Sequence, residues 1–139
     1  MAEPRDKDAR LFYRVAMQRL EDARFLLEAD RGLAAVYLSG YCVECLLKAL
    51  ILTRLPATNR KEMVKQFRGG KAHDYGWLRE VYYKRDKAGF PPDVVQAFNE
   101  VAEWNTEWRY RPGTLEADEA IAFLDAVEVI RAWADRRMS

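Results

Sequence analysis

An all-α fold, an up-and-down bundle of four to five helices, follows from three features of the sequence. Apolar residues recur at steps of three and four almost everywhere, the alternating pattern of half-buried strands is scarce, and the 7 glycines and 5 prolines of the 139 residues fall largely between the periodic stretches. Long amphipathic segments joined by short connections pack antiparallel, which gives the bundle. Hydrophobic residues at 50% and charged residues at 32% are the balance of one compact domain, taken as residues 1–139. A chain of this size buries about 65–70% of its unfolded surface, so it needs neither disulfides nor a metal to build a core. Twenty-three Lys and Arg against 22 Asp and Glu leave a net charge of +1. No global field then favours nucleic acid or an anionic membrane, and only a local patch remains.

The elements follow in order. Phe12, Ala16, Leu20, Ala23 and Leu27 make one apolar stripe and predict a first helix over Asp8 to Ala29. Asp30-Arg31-Gly32 supplies the turn, with Gly32 suited to a left-handed, helix-ending position. The second helix, Leu33 to Arg54, is apolar nearly all round and is expected to be central and most buried. Asn59 with Glu62 resembles a capping box for a short helix through Phe67, followed by a mobile connection at Gly69-Gly70. Asp74 caps a third long helix over Tyr75 to Asp86, with Leu78, Val81 and Tyr82 inward. Pro91-Pro92 opens a fourth, carrying Val94, Val95, Phe98, Val101 and Ala102 and running to Trp108 before Pro112-Gly113. Thr114 or Leu115 opens the last, through Arg136.

The longest uncharged run, Gly32 to Val43, is twelve residues, short of the roughly 20 that span a bilayer. The first thirty residues are rich in charge and lack a secretory pattern, so the expected location is cytoplasmic and no membrane partner is expected. Cys42 and Cys45 lie at CxxC spacing among Leu and Val in a helix, with no second pair to complete a zinc site. They read as core packing, and neither a metal nor a cofactor is expected.

His73 is the one histidine, which excludes chemistry that needs two. Arg68-Gly-Gly-Lys-Ala-His73 places a guanidinium and an imidazole within one short segment, a pair able to orient a phosphate while a base activates a 2′-hydroxyl. The competing structural reading has His73 and Asp74 cap the helix that follows. On the second helix Tyr37, Tyr41, Glu44 and Lys48 form one polar stripe, and Glu44 four residues before Lys48 is the favourable order for a local ion pair. A cleft between that stripe and Glu103 to Gly113 offers Trp104, Trp108 and Tyr110 for stacking and Arg109 and Arg111 for bidentate recognition of phosphate or carboxylate.

Three segments together resemble the HEPN family of small helical proteins. The stretch Ala35 to Leu50 is similar to that family's "YYLAGYAVECALKAL" pattern, His73-Asp74-Tyr75 with Leu78 resembles its "HDLxxL" step, and Trp108 to Gly113 resembles its "RYP" signature. The resemblance implies a helical bundle, a homodimer, and a place beside a minimal nucleotidyltransferase in a two-gene, toxin–antitoxin-like system. It implies a nucleotide- or partner-binding protein of the branch usually regarded as non-catalytic, with Tyr37, Tyr41, Glu44, Lys48, Trp108, Arg109 and Tyr110 at the site and Glu44 anchoring Arg109. The alternative is a metal-independent ribonuclease, since many members carry an RxxxxH motif with a polar residue after the Arg. Its one match here is Arg68 to His73, with Gly69 in the polar place.

Overall fold

The computed structural model describes residues 3–138. It holds six α-helices: α1 (Lys7–Glu28), α2 (Gly32–Thr53), α3 (Ala57–Gln66), α4 (Tyr75–Arg85), α5 (Pro92–Glu100) and α6 (Ala117–Asp135), with 3-10 turns at Gly70–His73 and Thr106–Tyr110. No strand occurs among the described residues. The all-helical bundle expected from the periodicity is therefore the fold.

α2 is the axis of the bundle. It packs against α1, α4 and α6, while α5 covers α6. From Val43 to Leu52 every residue of α2 is buried, Glu44 and Lys48 included. By length and composition α2 is apolar enough to cross a membrane, with a mean hydropathy of 1.6, yet 83% of that window is buried inside the bundle. The uncharged run seemed too short only because it stops at Glu44, and the helix continues through that charge.

The start of α4 falls where the Asp74 cap predicts it, and α1 starts one residue before the expected Asp8, behind Asp6. Asp6 accepts from the Ala9 N–H at 2.9 Å, and Asp74 accepts from Gly76 N at 2.7 Å. Elsewhere backbone and tertiary contacts decide. The left-handed residue between α1 and α2 is Asp30 (φ 61), not Gly32, which is already helical. Asp30 N–H reaches Leu27 O at 3.1 Å and Arg31 N–H reaches Leu26 O at 2.8 Å, the paired closing bonds of a Schellman turn. α3 starts at Ala57 behind an extended Pro56, and Asn59 lies inside it and caps nothing. α5 ends at Glu100, eight residues before the expected end, because Trp104 leaves the helical path to pack on α2. Asn105 then caps a separate turn, accepting from Glu107 N at 2.8 Å. α6 begins at Ala117, after Gly113 has taken φ 93.

A half-buried cluster ties the C-terminal residues to α2 and α4. Asp86 accepts from Arg54 Nε at 3.2 Å, Tyr82 Oη at 2.7 Å and Arg137 Nη2 at 2.7 Å. These bonds, Arg137 first, hold the Asp86 carboxyl well below the usual carboxylate range against the opposing effect of burial.

Candidate functional site

Midway along α2 the helix turns Glu44 toward the short 3-10 turn that precedes α4. Glu44 Oε2 accepts from Lys48 Nζ at 2.8 Å, and its Oε1 lies 2.9 Å from His73 Nδ1. The Glu44 and Lys48 side chains are each only 5% exposed. Charges this deep persist only when paired, and a carboxylate with two donors is paired on both oxygens. The Lys48 ammonium also sits 5.6 Å from the ring centre of Phe12 and 5.5 Å from that of Phe67, so two aromatic faces take the place of water. An ionised carboxylate only accepts, so Nδ1 of His73 donates to Glu44, and Nε2 has no hydrogen bond within the described residues, the side chain being 46% exposed.

Glu44 therefore anchors Lys48 and His73, and the expected Glu44–Arg109 contact is absent. Arg109 lies exposed on the second 3-10 turn with its guanidinium 4.7 Å from the ring centre of Tyr110. The early end of α5 is the reason: the Trp108 to Tyr110 segment is carried to the start of α2 and away from its middle.

The tyrosine stripe forms an aromatic lock between these two regions. Tyr37 and Tyr41 share a hydroxyl hydrogen bond of 2.9 Å, and Tyr41 meets the Trp104 ring edge-on at 5.0 Å. Trp104 stacks on Tyr75 at 5.3 Å with planes 8° apart and donates its indole N–H to Tyr37 O at 3.1 Å. Tyr75 donates its hydroxyl to Gly40 O at 2.6 Å. A Cβ at Gly40 would stand 2.0 Å from the indole, so glycine is required there for close approach. Burial raises the Tyr41 and Tyr75 phenols, burial first in each case, and both stay protonated.

Among the described residues three concave regions adjoin the lock, and the two larger ones carry arginines. The first, about 360 Å³, lies at the start of α2 and is lined by Tyr37, Trp108, Arg109, Arg111 and Arg31, with Asp30 as its one carboxylate. The N–H groups of Gly32, Leu33 and Ala34 precede the first intrahelical bond, Ala35 N–H to Arg31 O, and these residues line the same cavity. The second, about 720 Å³, is a groove lined by His73, Asp74, Arg79, Phe98, Glu103 and Trp104 among others.

Seven residues were expected to share one site, and they are divided. Glu44 and Lys48 are buried behind His73, Tyr41 belongs to the lock, and Tyr37, Trp108 and Arg109 line the first cavity with Tyr110 exposed beside it. Arg68 is exposed in the turn after α3 and does not line the groove on which His73 opens. His73 does not cap α4, a task that falls to Asp74 alone. Trp104, expected as a stacking surface of the cleft on a helix running to Trp108, is instead a buried packing group of the lock. Arg79 carries no motif, and the sequence does not single it out. Cys42 and Cys45 are buried in α2, burial pushing the Cys45 thiol up to about 12, which leaves no reactive thiolate. Among the described residues no three potential metal ligands converge.

The family model of the HEPN domain matches residues 9–137, nearly the whole chain. No curated protein matches the chain, and no solved structure does.

Proposed function

The chain belongs to the HEPN family, and from that premise we propose that it binds a nucleotide, free or as a unit of RNA, in the cavity at the start of α2. The observation that carries this reading is the convergence of Arg31, Arg109 and Arg111 with the rings of Tyr37 and Trp108 around about 360 Å³. That volume lies within the usual range of small-molecule sites. Among the described residues none of the three arginines makes an ion pair within the chain. Guanidinium forks match phosphate oxygens, the free N–H groups of α2 favour negative charge, and an aromatic ring offers a base a stacking surface. Arg111 lies 4.6 Å from the Trp108 ring centre, which holds cation and stacking surface together.

Homodimerisation, a cytoplasmic location and pairing with a minimal nucleotidyltransferase in a toxin–antitoxin-like system are part of the same proposal, supported by the three family-like segments. Calorimetric titration with adenine nucleotides and a short RNA tests the site. Arg109→Ala is expected to weaken binding about tenfold or more, the scale of one charged hydrogen bond of ~1.5–3 kcal/mol. Unchanged binding in the folded variant overturns the assignment. Recovery of the tagged protein from its native cell, with the mass of its complex, tests the partner.

A second reading, metal-independent RNA cleavage, is favoured by one contact: Glu44 fixes the His73 tautomer in the manner of a carboxylate that orients a general base. In that reading His73 is the base and Arg68 has no part. Cleavage without divalent ions, lost in His73→Ala, is the expected result, and intact RNA at high protein concentration overturns it.

A further inference from the structure

Arg79 on α4 is an arginine without a counter-charge. Its guanidinium carbon lies 4.4 Å from the ring centre of Phe98 and 5.5 Å from that of Phe90, and its Nε is buried with no hydrogen-bond partner. Among the described residues it makes no ion pair, and its pKa is lowered, with desolvation by burial as the cause. A carboxylate close by would pull in the opposite direction. Half-desolvating a guanidinium against two phenylalanine rings, with its buried Nε–H unsatisfied, is costly, and an anion met by its remaining donors offsets that cost.

The groove that Arg79 lines supplies the setting. It measures about 720 Å³ and has His73 on its wall, with Nδ1 taken by Glu44 and Nε2 uncommitted. Two carboxylates also line it. Asp74 is engaged at the N-terminus of α4, where its Oδ1 accepts from Gly76 N at 2.7 Å and Trp77 N at 3.4 Å, so its charge is directed into the helix. Glu103 is exposed, where solvent screens it.

We propose that this groove is a second ligand site, which takes a phosphate group on Arg79 beside His73. A planar fork presenting paired donors suits phosphate, and the groove is large enough for the body of a phosphate ester as well as its head. The site does not depend on the cavity at the start of α2, and either can fail while the other stands. It also requires no cleavage.

His73 being the chain's one histidine, isotope labelling of histidine gives a single pair of ring signals that reports on this groove alone. The Arg79 Nε–H signal, protected by burial, reports on the other side. Titration with methyl phosphate and, separately, dimethyl phosphate at constant ionic strength is expected to shift both sets of signals and to saturate in the millimolar range. The monoester responding alone indicates a terminal phosphate as the natural ligand, whereas a response to both indicates a phosphodiester backbone. Arg79→Gln is expected to abolish the response and Arg79→Lys to weaken it about tenfold, the fork being lost while the charge stays. Arg109→Ala is expected to leave it unchanged. Neither phosphate shifting the wild-type signals, or acetate shifting them equally, overturns the proposal. The wild-type titration decides even where Arg79→Gln unpacks Phe98.

Discussion

The middle and the start of α2 present polar groups on opposite terms. In the middle, Glu44 joins Lys48 and His73 in a setting where the two helix side chains are 5% exposed, and both lose their partner if Glu44 is removed. At the start, Arg31, Arg109 and Arg111 surround a cavity and are exposed, without ion-pair partners in the chain. Buried, mutually satisfied charges mainly hold a shape. Exposed charges without partners contribute little to stability and are available to a ligand. The family-like pattern spans both regions, so a motif read as one site covers a structural half and a binding half.

Substitutions sharpen that division, and the largest effect is expected in the middle. Glu44→Ala leaves the Lys48 ammonium buried between two phenylalanine rings and is expected to cost about 3–5 kcal/mol in denaturant unfolding. A loss under ~1 kcal/mol means that water reaches the cluster, and the contrast between the halves fails. Gly40→Ala drives a methyl into the Trp104 indole and is expected to cost about 1–3 kcal/mol. Tryptophan emission should shift to the red as Trp104 is displaced, and an unshifted spectrum at full stability breaks the lock.

Asp86 is the intermediate case, and its sign is set by a depressed carboxyl. A folded-state pKa below the ordinary 3.8 means that its stabilisation is fully present above that value and is lost as pH falls toward the folded one. Asp86→Asn is expected to flatten the acid limb of stability below about pH 4 while leaving the neutral-to-basic limb parallel to wild type. Stability curves that stay parallel through the acid range count against it. The smallest effect on stability is expected for Arg109→Ala, within about 0.5 kcal/mol of wild type as for other surface changes, although nucleotide affinity falls.

The sequence displays those parts of the molecule that local rules decide. Helical spacing places the long helices, Asp74 marks the start of α4, and the apolar circumference of α2 marks it as central, whereas the capping box expected to open α3 does not form. The order of Glu44 and Lys48 reveals their ion pair. What stays hidden depends on partners remote in the chain. Nothing near Trp104 says that its indole lies over Gly40, so the end of α5 is placed eight residues late and Arg109 is assigned to the wrong part of α2. His73 finds Glu44 across 29 positions, which no spacing rule anticipates. Asp30 takes the left-handed position although a glycine stands two residues on, because the closing bonds from residues 30 and 31 fix where the turn must come.

The central place of α2 also bears on how the chain is made. α2 follows α1 directly in the chain, and α6, which closes another of its faces, is complete about 80 residues later. At ~5–20 residues per second that interval is about 4–16 s. Until then the most apolar helix of the protein keeps the side that α6 covers open. Nascent-chain capture and early aggregation should therefore concentrate on it.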